Sequence, residues 1–133
     1  MAIQYSTTHR TNNVTDIVTL LGATGYLLIY SGAPPANCGT AASGTLLASL
    51  PLSATAGTVA SGVLTFNAIT SAAAAAAATA GYWRLCTSSA GTTVIAQGTV
   101  GVSGSDLNFA GGVAWTVGET IAVSSFTITA NGA

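Results

Sequence analysis

The sequence predicts a mainly β protein: an antiparallel β-sandwich, jelly-roll-like, of seven or eight strands, with one N-terminal helix and a single domain spanning residues 1–133. Three observations lead there. One stretch of helical periodicity lies near the N-terminus. From Gly25 onward, short apolar runs alternate with Gly, Ser, Pro and Asn breakers. A chain of 133 residues is too short for two ordinary domains.

Residues 1–5 read as an arm and 6–22 as the helix. Val14, Ile17, Val18 and Leu21 fall at i, i+3, i+4 and i+7, one apolar stripe. Ser6, Thr7 or Thr8 can cap the N-terminus, and Gly22 suits the C-terminal stop. Arg10 lies toward the positive end of the helix dipole and Asp16 nearer the negative end, the unfavourable arrangement. Thr11, Thr15 and Thr19 are poor helix formers, so packing of the stripe, on a sheet, must hold this helix.

The expected strands are 26–30, 45–50, 62–69, 81–87, 93–100, 113–117 and 120–129, with 106–109 as an eighth. In strand 81–87 the period of two puts Trp83 and Leu85 on one face, the core face, and Tyr82, Arg84 and Cys86 on the other. Val123 and Phe126 have opposite parity, which calls for a bulge or for burial of both faces. Residues 88–92 form a hairpin loop in which Gly91 is free to take positive φ. Seven consecutive alanines, 72–78, favour helix by propensity. So short a segment nucleates poorly and has no stripe to dock, so it is read as a surface loop or an extended lead-in to the next strand.

Only five residues are charged: Arg10, Arg84, Asp16, Asp106 and Glu119. A typical domain is about 25% charged; here the figure is 4%, and Ala, Thr, Gly and Ser make up 76 of the 133 residues. Small side chains and hydroxyls must therefore form most of the exterior. Two separated arginines cannot neutralise a phosphate backbone, which excludes nucleic acid as a partner. The uncharged stretch 17–83 invites a membrane reading, but its best window, 62–80, is alanine-rich and lacks the Leu, Ile and Phe density that drives insertion. The N-terminus lacks the basic and apolar regions of a secretory signal, so synthesis in the cytoplasm is expected.

No catalytic, cofactor or metal site is expected. The only histidine, His9, sits on the polar start of the helix and reads as solvated. Asp16, Asp106 and Glu119 lie in three different elements, Asp106 and Glu119 as turn residues. Two cysteines and one histidine at wide separation make no zinc spacing. The Gly-rich turns 22–25 and 101–104 are not followed by helices, so they fail as phosphate loops. Cys38 and Cys86 are read as free thiols; the alternative, a disulfide closing their 48-residue separation, would add about 4 kcal/mol in the chain-entropy account.

The blocks MAIQY, LLIYSGAPPA, LLASLPLS, GVLTFNAIT, YWRL, AQGTVGVSGSDLNF and SSFTITA, in that order across nearly the whole chain, resemble small Ala/Thr-rich virion structural proteins of tailed bacteriophages, of the capsid decoration or cement type. The resemblance implies a non-catalytic β domain, made in the host bacterial cytoplasm. It would form a homodimer or homotrimer on the virion's capsid surface, with the major capsid protein as partner. Expected contact residues are Ile3 and Tyr5 in the arm and Pro34 and Pro35 in the 31–44 loop. The alternatives are a phage tail or fibre component and a carbohydrate-binding adhesion module, in which Tyr26, Tyr30, Tyr82 or Trp115 would stack on sugars; core packing explains most of those aromatics equally well.

Overall fold

The structure is a computed structural model and describes residues 3–133. The chain is mainly β, 37% strand and 11% helix, with one helix and a curled open sheet. The helix, α1 (Thr7–Leu21), begins where expected: the Ser6 hydroxyl accepts from the His9 N–H at 3.2 Å. It ends at Gly22, whose φ of +60° and N–H to the Val18 carbonyl close the last turn. Val14 and Leu21 are buried and Ile17 and Val18 pack beside them, so the apolar stripe does what its spacing predicts.

Eleven strands follow among the described residues: β1 (Tyr26–Ser31), β2 (Leu46–Pro51), β3 (Gly57–Ala60), β4 (Val63–Phe66), β5 (Ala72–Ala73), β6 (Ala78–Cys86), β7 (Val94–Gly101), β8 (Leu107–Asn108), β9 (Ala114–Trp115), β10 (Thr120–Ile121) and β11 (Thr127–Thr129). The main sheet has the order β2-β1-β6-β7-β8, and β9 pairs with the start of β6. A second sheet runs β11-β4-β3, and β10 pairs with β5. The helix packs on β3 and β4, the sheet support its sequence requires.

Eleven strands among the described residues stand against the seven or eight expected, and the segments that differ show why. The run 120–129 is not one strand with a bulge: it divides into β10 and β11, which join different sheets, and the parity change at Ser124-Ser125 marks the crossing. The hairpin β3–β4 was not foreseen; its two-residue turn is Ser61-Gly62, with φ of +51° and +78°. Positive φ at both central positions is the geometry that matches strand twist in a two-residue hairpin. The ladder β7–β8 is parallel, against the antiparallel expectation. Parallel neighbours normally need a long crossover; this ladder is two residues long, and Asp106 pins it by accepting from the Thr99 N–H at 2.9 Å and hydroxyl at 3.1 Å.

The alanine run is extended, as its weak nucleation suggests. Its amides find distant partners in place of helical ones: Ala74 N–H donates to the Glu119 carbonyl and Ala75 N–H to the Leu47 carbonyl, both at 2.8 Å, while the Ala74 carbonyl accepts from Gly118. Methyl side chains let this segment lie between β2 and β10 with Ala74 buried.

Trp83 and Leu85 lie in the main core with Leu27, Ile29, Leu64 and Phe126. Trp83 meets Phe126 edge-on at 5.0 Å, and Phe126 stacks on Phe66 at 4.7 Å, which joins the main sheet to the β3–β4–β11 sheet. The opposite face is buried too. Leu28, Tyr30, Tyr82 and Cys86 form a second cluster, as the continuous apolar run Leu27-Leu28-Ile29-Tyr30 permits for a strand covered on both sides.

Candidate binding surfaces

The second cluster is covered by the loop between β1 and β2, residues 32–45, which lies as a strap over the outer face of β1, β6 and β7. Its side chains are mostly Ala, Gly, Ser, Thr and Pro, too short to form a core, so three side chains of the sheet hold its backbone instead. The Tyr82 hydroxyl donates to the Ser43 carbonyl at 2.6 Å and accepts from the Ser43 N–H at 3.0 Å. Arg84 Nη2 donates to the Thr40 carbonyl at 2.8 Å and, more weakly, to that of Asn37 at 3.5 Å. Gln97 Nε2 donates to the Pro35 carbonyl at 2.7 Å. These three residues share one face of adjacent strands: Arg84 stands opposite Gln97, with Tyr82 two residues along β6.

Arg84 is the residue that sequence reasoning placed on a face without recognising its burial. It is 2% exposed, its guanidinium lies 6.0 Å from the Tyr82 ring centroid, and its Nε has no hydrogen-bond partner. The available signal was an arginine inside the otherwise apolar run Tyr82-Trp83-Arg84-Leu85-Cys86, facing a loop rich in free carbonyls. Burial raises the pKa of Tyr30, with Cys86 and Tyr82 adding to the shift and Arg84 opposing it. Burial likewise raises that of Cys86, with Arg84 opposing and Cys38 adding.

Cys38 and Cys86 are both free thiols, Cys38 half-buried in the strap and Cys86 fully buried in β6. Pro34 and Pro35 are half-buried, because the strap lies down on the sheet. In the arm, Met1 and Ala2 lie outside the described residues. Tyr5 is anchored: its N–H donates to the Gly132 carbonyl at 2.7 Å, and its ring lies 4.6 Å from that of His9. Ile3 stands 74% exposed. Among the described residues, Leu20, Val102 and Val117 are the other large apolar side chains in solvent besides Tyr5.

The proposed sugar-stacking aromatics do not form a platform. Tyr30, Tyr82 and Trp115 are buried and only Tyr26 is part-exposed. Each has a core partner instead: Tyr30 stacks on Tyr82 at 5.0 Å and Trp115 meets Phe109 edge-on at 5.1 Å. The charged groups stay apart, with Asp16 on α1, Asp106 tied to Thr99 and Glu119 in the turn before β10, whose N–H donates to the Thr116 carbonyl. Among the described residues no three His, Cys, Asp or Glu side chains gather as metal ligands, and no helix is long and apolar enough to cross a membrane. Comparison with family models, curated proteins and solved structures finds no match to this chain.

Proposed function

We propose that this chain is a structural virion protein of a tailed bacteriophage that decorates or cements the outer capsid surface, without catalysis, through self-association and binding to the major capsid protein. The observation that carries this reading is the surface. With Arg84 buried, only four charged side chains, Arg10, Asp16, Asp106 and Glu119, serve 6713 Å² of accessible area. A standard interface takes about 800 Å² from each partner, so a patch of that size can be closed here without stranding a charge away from water. Ile3, Tyr5, Leu20, Val102 and Val117 supply apolar anchors on that surface. The contact of Trp83 with Phe126, and of Phe126 with Phe66, supports treating the two larger sheets as the layers of a jelly-roll-like sandwich.

The test is binding to purified empty capsids that lack this protein. Saturable uptake with a fixed number of copies per shell, weakened by deletion of residues 1–4, supports decoration with the arm as a contact. Uptake that never saturates, or none, removes the decoration reading. Unchanged binding of the deletion variant moves the contact from Ile3 to the other exposed apolar residues.

A further inference from the structure

Arg84 leaves an electrostatic problem that the chain does not solve internally. A guanidinium is charged at any accessible pH, and this one is almost wholly removed from water. Its partners are two carbonyls and an aromatic face, all neutral, and Nε has none. A buried cation is normally paired with an acid. Yet Asp16, Asp106 and Glu119 sit on α1, before β8 and before β10.

Beside Arg84 lies a cavity of about 440 Å³ between the strap and the β6–β7 hairpin, with Tyr30, Cys38, Thr40, Thr92 and Val94 in its walls and no carboxylate among them. Its size is within the range of small-molecule sites, about 300–1,000 Å³. The Tyr30 hydroxyl is at the hairpin side, 3.2 Å from the point a Cβ on Gly91 would occupy. At neutral pH the phenol carries its proton and can donate. The hydroxyls of Thr40 and Thr92 can donate as well. The cavity thus has one full positive charge, neutral O–H donors and no negative group, the complement of an anion with oxygen acceptors.

We propose that this cavity is a binding site for a small oxyanion, a carboxylate or a singly charged phosphate group, held by the Arg84 guanidinium and the Tyr30 hydroxyl. One guanidinium balances one negative charge, which favours monoanions. The same chemistry can come from a free metabolite-sized ion or from an acidic side chain of a bound protein. The proposal does not depend on the capsid reading.

The chain contains two arginines, so ¹⁵N-arginine labelling of the full-length protein gives two Nε–H signals, with Arg10 as an internal control. The probes are acetate, inorganic phosphate near pH 6, and a short end-blocked peptide containing one Glu, each titrated at constant ionic strength with chloride as the balancing ion. The expected result is a saturable shift of the Arg84 signal with Arg10 unmoved. Tyr30→Phe should weaken binding by about 3- to 10-fold, the worth of one hydrogen bond. This variant keeps Arg84 and the ring, so it does not depend on whether Arg84→Gln folds. A response to acetate or phosphate identifies a free ion as sufficient; a response to the peptide alone identifies a protein side chain as the source. No saturable Arg84 shift with any probe up to about 50 mM, far weaker than a useful site, overturns the proposal, as does an equal shift of Arg10.

Discussion

Removing one oxygen atom tests whether the strap is held by the sheet. In Tyr82→Phe the ring keeps its place against Tyr30, 5.0 Å away and nearly parallel, so apolar burial is unchanged and no cavity of a side chain's size appears. What is lost is the pair of bonds to Ser43, a donated one at 2.6 Å and an accepted one at 3.0 Å. Each is worth about 1 kcal/mol net, and Ser43, being exposed, can recover part of the loss from water; the expected cost is about 1–2 kcal/mol. For a chain of this length that lowers Tm by roughly 4–8 °C.

Two measurements read it: thermal and urea denaturation followed by circular dichroism, and the rate of proteolytic cleavage within residues 33–44. Both should move, since the strap would lose one of its three clasps. Tyr30→Phe is the control, because it removes the neighbouring hydroxyl and leaves Ser43 untouched. A Tyr82→Phe Tm within about 1 °C of wild type, with unchanged strap cleavage, refutes the clasp account; so does an equal effect of the control.

Other perturbations follow from particular contacts. Ser61→Asn should raise stability by a few tenths of a kcal/mol in urea denaturation, because Asn accepts the positive φ that Ser61 now holds at +51° in a turn of the Asn-Gly type. Gly98→Ala should cost about 1–3 kcal/mol by the same assay, since its methyl would sit 2.6 Å from Trp83 Cζ2 and 2.7 Å from Asp106 Oδ2. Stability should fall as pH rises past 9.0, the ordinary value for a cysteine, and further past 10.0, that for a tyrosine, because folding raises the pKa of Cys86 and of Tyr30. Above those values the unfolded chain loses protons that the folded chain keeps, so urea midpoints measured from about pH 8 to about pH 11 should decline, and less steeply in Cys86→Ala. Val117→Asp, at an exposed apolar position, should leave Tm unchanged and reduce self-association measured by sedimentation, as the anchoring role proposed for Val117 requires; unchanged self-association removes Val117 from the proposed anchors.

What was legible in the sequence was what depends on neighbours along the chain. The stripe from Val14 to Leu21, the caps Ser6 and Gly22, and the faces of Trp83 and Leu85 all follow from local periodicity and appear in the structure. The extended alanine run was legible for a negative reason, the poor nucleation of a short helix; its actual hydrogen bonds, to Leu47 and Glu119, belong to distant strands. The β3–β4 hairpin was missed because Ser53–Ala60 reads as breakers and small residues, although Ser61-Gly62 was the turn signal. The division of 120–129 and the parallel β7–β8 ladder depend on which sheet edge each segment reaches, which periodicity does not encode.

The outer face shows why composition left the aromatics and Arg84 undecided. A strap made of Ala, Gly, Ser, Thr and Pro offers few side chains that could cover Tyr30 and Tyr82, so the sequence left open whether these rings pack in a core or stand in solvent. The strap covers them with backbone, and backbone must have its polar groups satisfied. Long polar side chains rising from the sheet do this: Tyr82 to residue 43, Arg84 to 40 and 37, Gln97 to 35. The conformation of the strap is therefore written in β6 and β7 more than in the strap's own residues. It follows that one of the chain's two arginines is used inside the fold, where carbonyls satisfy only part of its hydrogen-bonding capacity and no carboxylate balances its charge.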